Sequence, residues 1–139
     1  FSDMVIVDWD DPSHIHRFLR PNRFRPSYMR WGWMPPHPTF YARTTCFEQA
    51  GNFRTDFKIA ADWELALRFL KVHGFSYRYI PETLVQMRRG GLSTQNLGST
   101  ITINEEIVRA CRIHGVYTNR LMLWSKYFRR AFELVAQPR

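Results

Sequence analysis

The chain has 139 residues, 45% of them hydrophobic and 16% aromatic, a composition that excludes a disordered protein. Its formal net charge of +8 calls for an anionic partner, namely phosphate groups, anionic lipid or nucleic acid. No apolar run approaches the roughly 20 residues that a membrane-spanning helix needs. The two cysteines, Cys46 and Cys111, lack ligand-like spacing, and we expect buried thiols in a reducing compartment.

The first part of the chain predicts one buried strand and a long loop. Residues 4–7 are an apolar run between two aspartates, which is typical of a strand buried on both faces. Residues 8–12 form an Asp-rich turn. Between residues 14 and 33, arginines alternate with aromatic residues without a clean period, so we expect a long ordered loop that contains at most a helical turn. This stretch either faces an anionic partner or is a solvated arginine surface.

The middle of the chain predicts strands and two helices. Residues 39–43 alternate as a strand does, and a short helix follows over residues 46–50. Residues 75–80 and 84–87 have strand composition, and Pro81 is expected to separate them into two strands.

A second helix is expected over residues 62–73. Ala60 and Ala61 precede Asp62, and an apolar-periodic run follows it, so Asp62 has the features of a helix N-cap. A carboxylate at that position accepts hydrogen bonds from the first free amides of the helix. Asp62 is therefore either a cap with no further role or a functional carboxylate at a rigid helix start.

Two amphipathic helices are expected in the last third of the chain. The first follows several capping residues at 96–100 and carries its apolar residues on one face until Gly115 ends it. The last covers about residues 118–135, with basic residues outside its apolar stripe. These helices either lie on an anionic membrane surface or pack back on the rest of the protein.

The aspartates that follow the first strand are the candidate metal ligands. Asp8, Asp10 and Asp11 have the oxygen ligands that Mg²⁺ and Mn²⁺ prefer. Asp-rich turns are also common for structural reasons alone, so no metal ligand is assigned in this chain.

A basic loop is the candidate anion site. Arg88 and Arg89 place two guanidinium groups beside Gly90 and Gly91, whose amides are accessible in a pliable turn. Such a turn suits a diphosphate group. A hairpin turn with solvated arginines is the alternative.

Four blocks of sequence together resemble the second half of bacterial family-2 glycosyltransferases, in particular the subgroup that assembles exopolysaccharide, O-antigen and colanic-acid repeat units. The likeness rests on the order and spacing of the blocks and covers most of residues 3–95. The blocks are residues 36–43, 51–53, 59–68 and 88–94.

The resemblance implies the GT-A fold, an α/β sandwich around a mostly parallel sheet. Residues 1–97 would be the acceptor-side part of the catalytic domain, with the nucleotide-binding half missing, and residues 98–139 a helical extension. The start at Phe1 agrees with a piece of a longer protein. The piece alone would be inactive.

The implied activity is that of a hexosyltransferase-type enzyme of surface polysaccharide biosynthesis, which transfers a sugar with inversion from a nucleotide-sugar donor to a glycan or lipid-linked acceptor. It would take place in the cytoplasm, peripheral to the inner face of the membrane. A divalent metal, Mg²⁺ or Mn²⁺, would act in the intact enzyme and be held mostly by the missing half.

The resemblance also assigns site residues. Asp62 matches the aspartate of the family's Glu-Asp motif, the general base, although Ala61 stands where the glutamate would be, so only the aspartate carries over. His37 and the loop at residues 88–93 fall where the family lines its donor and acceptor cleft. The Trp63 ring is expected either to stack on a sugar ring or to lie in the core. The expected substrate-binding residues are His37, Trp63, Arg88, Arg89, Gly90, Gly91 and Ser93.

Two interpretations from other classes compete with the enzyme. One is a nucleic-acid-binding module built on the basic aromatic stretch at residues 14–33. The other is a membrane-surface or scaffold protein without catalysis. The nucleic-acid module does not explain Asp62 or the Gly90–Gly91 turn. The charge alone does not separate the three interpretations, whereas the order of the motifs favours the enzyme, and no nucleic-acid partner is expected.

Overall fold

The computed structural model describes residues 1–90 and 97–125, in which a three-stranded sheet and several helices form an α/β protein. The α/β class expected from the sequence is confirmed. The strands are β1 (Ser2–Val7), β2 (Ile15–Leu19) and β3 (Ile80–Arg88). The α-helices are α1 (Thr44–Ala50), α2 (Ala61–Leu67) and α3 (Leu97–Ile113); a π-helix (Arg68–Val72) continues α2, 3₁₀ helices span Pro26–Trp31 and His37–Thr39, and residues 120–125 are helical.

The sheet has the order β2-β1-β3, with the buried strand β1 in the middle. The strand predicted at residues 4–7 is therefore confirmed. β1 pairs antiparallel with β2 and parallel with β3, so the described sheet is mixed, whereas the resemblance implied a mostly parallel one. Because β1 and β3 are parallel, Val7 and Arg88 pair at the same edge, and the residues that follow both strands lie together there.

Strand β2 lies where a loop was expected. Its residues are largely exposed, and arginine and histidine occupy positions that an apolar alternation would need. The strand is held by its pairing with β1, in which Val5 lies opposite Phe18. The prediction of a loop over residues 14–33 is wrong for this segment because an exposed edge strand carries little hydrophobic signal.

Strand β3 runs through Pro81 without a break, so the prediction of two separate strands is wrong. β3 is an edge strand and needs backbone hydrogen bonds on one side only. Its pairing with β1 is irregular between Ser2 and Met4, opposite the segment that contains the proline. Residues 75–79, expected as strand, have no regular structure.

The strand predicted at residues 39–43 is also wrong. The chain forms the 3₁₀ helix His37–Thr39 and then continues irregularly to α1. The hydroxyl of Thr39 donates a hydrogen bond to the carbonyl of Pro36 at 2.8 Å, and the Thr39 amide donates to the same oxygen at 2.9 Å. These local bonds hold a turn in place of an extended strand.

The helical segments agree closely with the patterns. α2 and its π-helical continuation cover residues 61–72, against an expected 62–73. α3 buries Ile107, Ala110 and Cys111 in the same core cluster as residues of α2. The described part of the expected 98–139 extension therefore packs on α2 through this cluster. Burial also raises the pKa of the Cys111 thiol to about 12, while Cys46 is only partly buried.

Candidate active site

Asp62 is the second residue of α2, and its side chain is 37% exposed. Its Oδ1 atom accepts a hydrogen bond from the amide of Trp63 at 2.7 Å. The N-cap is Ala60, which has no side-chain capping bond, so the prediction that Asp62 is the N-cap is wrong by two positions. One carboxylate oxygen of Asp62 is thus fixed at the helix start, and the other faces the surface shared with His37.

His37 is the expected site residue that the structure brings to Asp62. Its Nδ1 atom lies 4.0 Å from Oδ2 of Asp62, and the His37 side chain is 40% exposed. That distance exceeds a direct hydrogen bond. The ring of Phe53 meets the imidazole edge-to-face at 6.2 Å between centroids and limits its orientation. The two side chains form one accessible polar pair, which we call the Asp62–His37 pair.

The turn that carries His37 is held rigidly. Thr39 is fully buried, and the amide of Phe40 donates to the carbonyl of His37 at 2.9 Å. The 3₁₀ helix packs against both β1 and β3. His37 is therefore positioned by the sheet, whereas Asp62 is positioned by the helical layer.

Trp63 lies in the core. Only 4% of the residue is exposed, and it belongs to the main hydrophobic cluster. Among the described residues its indole Nε1 has no hydrogen-bond partner. The ring presents no open face to a sugar, so the core alternative holds and the stacking role expected for Trp63 is withdrawn.

The expected anion loop begins at the edge where β1 and β3 end. Arg89 donates to the carbonyl of Val7 through its amide at 3.1 Å, and its guanidinium Nη1 lies 3.1 Å from Oδ1 of Asp8. The Arg88 guanidinium lies over the ring of Trp9, 5.4 Å from its centroid. Both arginines thus have neighbours on the residues that follow β1.

Two of the expected loop residues, Gly91 and Ser93, lie outside the described residues. Gly90 is described and has a φ of 109°, a conformation that favours glycine. Within residues 1–90 and 97–125, no hydrogen bond or ion pair joins Arg88 or Arg89 to Asp62. The described contacts therefore form two groups, the Asp62–His37 pair and the β1–β3 edge.

The aspartates after β1 do not form a metal site with the described residues. Asp8 is paired with Nδ1 of His14 on one oxygen and with Arg89 on the other. Hydrogen bonds from these two side chains hold the pKa of Asp8 below its ordinary value. In the part of the chain that the structure describes, no three His, Cys, Asp or Glu side chains are grouped so that they suit a cation.

The loop before α2 is held by a residue that the sequence analysis did not single out. The Glu106 carboxylate, on α3, accepts hydrogen bonds from the amides of Lys58, Ile59 and Ala60 at 2.7, 2.9 and 2.8 Å. A signal for it was present: Glu106 lies three residues after Ile103 and four before Ala110, on the apolar face of α3. An acidic residue on a buried face implies a hydrogen-bonding partner.

Comparisons with known proteins do not identify the chain, since neither the family models nor the curated proteins nor the solved structures include a significant match. The helices of residues 1–90 and 97–125 also lack the combined length and apolar character that crossing a membrane requires.

Proposed function

We propose that this chain is the acceptor-side part of a GT-A-type glycosyltransferase that moves a sugar from a nucleotide-sugar donor to a glycan or lipid-linked acceptor, with Asp62 as the general base. The observation that carries the proposal is the 4.0 Å separation between Oδ2 of Asp62 and Nδ1 of His37. One hydroxyl oxygen fits between two such atoms at about 2.8 Å from each, within hydrogen-bond range of both. The order of the sequence blocks around Asp62 supports the same reaction.

The proposed step is a single displacement. The acceptor hydroxyl oxygen attacks the anomeric carbon, a carbon–oxygen bond forms, and the bond from that carbon to the diphosphate oxygen breaks with its electron pair on the nucleoside diphosphate. The hydroxyl proton passes to Oδ2 of Asp62 as the oxygen attacks. The second oxygen, bound to the Trp63 amide, keeps the carboxylate in a fixed orientation during the transfer.

The leaving diphosphate needs positive charge. We assign this to Arg88 and Arg89, together with the expected binding residues Gly90, Gly91 and Ser93, because one guanidinium group can donate two parallel hydrogen bonds to phosphate oxygens. The salt bridge to Asp8 fixes the Arg89 side chain at the edge of the sheet. The divalent metal implied by the resemblance would supply further charge, and since the described residues do not fit it, no step is assigned to it.

A lipid-linked acceptor would bring the enzyme to the cytoplasmic face of a membrane. Three exposed apolar side chains on and before the helix at residues 120–125 support this location: Tyr117 is 69%, Leu121 83% and Trp124 50% exposed. Arg120 beside them is also exposed. Aromatic and aliphatic groups next to a cationic side chain suit an anionic lipid surface.

The His37→Ala variant tests the Asp62–His37 pair in the full-length protein. We expect acceptor-dependent release of nucleoside diphosphate from a nucleotide-sugar to fall about tenfold in kcat/KM, the equivalent of one lost hydrogen bond. The assay uses a panel of nucleotide-sugars with a membrane lipid extract as acceptor. His73→Ala, at an exposed helix end, is the matched control and is expected to retain wild-type rates. An equal loss in both variants, or none in His37→Ala, would remove His37 from the site.

A further inference from the structure

We propose that Glu106 is a positioning residue for Asp62, acting through the loop that leads into α2. This inference rests on the proposed function. It concerns a residue of α3, outside the sequence blocks that carry the resemblance.

The start of α2 lacks a capping side chain at the N-cap position. Its N-cap is Ala60, which has no side chain able to accept a hydrogen bond from the first turn. The carbonyl of Ala60 accepts the first helical bond, from the amide of Glu64 at 2.9 Å. The orientation of Ala60 therefore determines where the helix begins and where Asp62 lies.

Glu106 fixes Ala60 and the two residues before it. Its Oε2 atom accepts the amides of both Ile59 and Ala60, and its Oε1 atom accepts the amide of Lys58. Three consecutive amides converging on one carboxylate hold the loop in a single conformation. Asp62 follows two residues after the last of these amides.

Arg109 holds the same loop one turn further along α3. Its guanidinium donates to the carbonyl of Asp56 at 3.0 Å and also contacts the Asp56 carboxylate. It lies over the ring of Phe57, 4.7 Å from the centroid. Residues at positions i and i+3 of a helix lie on one face, so Glu106 and Arg109 together hold residues 56–60 against α3.

The Glu106 carboxylate is ionised at neutral pH. Burial opposes its ionisation, because the residue is only 9% exposed, but the backbone donors outweigh burial and lower its pKa below the ordinary value of 4.5. Amides donate stronger hydrogen bonds to an ionised carboxylate than to a protonated one.

The test compares three variants of the full-length enzyme. Glu106→Ala removes every acceptor, and we expect kcat for sugar transfer to fall about 10- to 100-fold, since a displacement of about 1 Å at a catalytic group costs rate on this scale. The dissociation constant of the nucleotide-sugar should stay within about twofold, because the proposed role of the loop is to position the base for the acceptor and not to bind the donor. Glu106→Gln, with its oxygen at the Oε2 position, keeps the bonds to Ile59 and Ala60 but turns an NH2 group toward the Lys58 amide, so it should recover part of the rate. Glu48→Gln, at an exposed glutamate of α1, should behave as wild type.

Amide hydrogen exchange of residues 58–63 is measured on the same variants and reports on the loop independently of activity. Faster exchange in Glu106→Ala together with the kcat loss supports the positioning role. Unchanged kcat in Glu106→Ala at a temperature where that variant is folded would overturn it, as would an equal loss in Glu106→Gln. Absence of transfer by the wild-type enzyme would instead refute the proposed function, and the positioning role with it.

Discussion

Replacing Asp62 by Asn in the full-length protein is expected to lower kcat for sugar transfer by about 10²- to 10⁴-fold, the range over which a general base contributes. The amide of Asn has the same shape as the carboxylate, and its oxygen still accepts the hydrogen bond from the Trp63 amide. The helix start is therefore preserved, and the variant loses only the ability to take a proton. Steady-state kinetics with a saturating donor would measure the effect.

Donor binding separates this effect from a general loss of structure. The dissociation constant of the nucleotide-sugar in Asp62→Asn should remain close to wild type, because the proposed role of Asp62 is toward the acceptor hydroxyl and not the donor. Glu48→Gln, an acid-to-amide change on the exposed side of α1, is the matched control and should leave kcat unchanged. Substantial turnover by Asp62→Asn would exclude Asp62 as the base.

The largest effect on stability is expected at Arg68, which connects α2 and its π-helical continuation to the end of α1. Its guanidinium forms a bidentate pair with the fully buried Glu64 at 2.9 and 3.0 Å. It also donates to the carbonyls of Gly51 and Asn52, each at 2.8 Å, and contacts the carbonyl of Ala50. Arg68 thereby satisfies the free carbonyls at the end of α1 while it neutralises a buried acid.

Arg68→Met is expected to lower the free energy of unfolding by about 3–5 kcal/mol at pH 7, because it leaves the Glu64 carboxylate buried with only one of its two partners. That partner is His114, whose Nε2 lies 2.6 Å from Oε1 of Glu64. Urea unfolding followed by circular dichroism measures the change. Arg112→Met, an exposed position on α3, is the control and should stay within about 0.5 kcal/mol of wild type.

The stability difference should also depend on pH. Burial opposes ionisation of Glu64, yet the hydrogen bonds from Arg68 and His114 outweigh it and hold its pKa below the ordinary value of 4.5. A lowered folded-state pKa means that ionised Glu64 stabilises the wild type above pH 4.5 and that this contribution is lost as the pH falls through the folded value. The gap between wild type and Arg68→Met should therefore narrow in acid. A loss below about 1 kcal/mol at pH 7, or a gap independent of pH, would contradict this account.

The elements that the sequence predicts well are those whose signal is local. The run at residues 4–7 is continuously apolar and lies between two aspartates, and the apolar residues of α2 and α3 combine a clear period with end signals such as Gly115. Burial on the predicted face then follows from the same residues. The α/β class could be predicted for this reason.

The elements that the sequence does not predict depend on distant partners. β2 forms because its backbone pairs with β1, and its exposed side chains do not reveal that pairing. β3 continues through Pro81 because an edge position tolerates the missing amide. Likewise, the loop that leads into α2 is held by Glu106, 46 residues beyond Ala60, where no local rule for helix starts would find it.

The candidate site shows the same division. The position of Asp62 near a helix start was predictable from the residues around it, and its place in the reaction rests on the resemblance. Its neighbour His37 is 25 positions away in the chain, and only the packing of its turn against β1 and β3 brings the two side chains within 4.0 Å. The burial of Trp63 depends on the whole core and could not be decided from its position after Asp62.

The anomeric configuration of the transferred sugar tests the central claim most directly. NMR of the product formed by the full-length protein would show whether the glycosidic bond has the configuration opposite to that of the nucleotide-sugar. A general base at Asp62 that activates the acceptor for a single displacement predicts inversion. Retention of configuration, or no sugar transfer to any acceptor, would contradict the role proposed for Asp62.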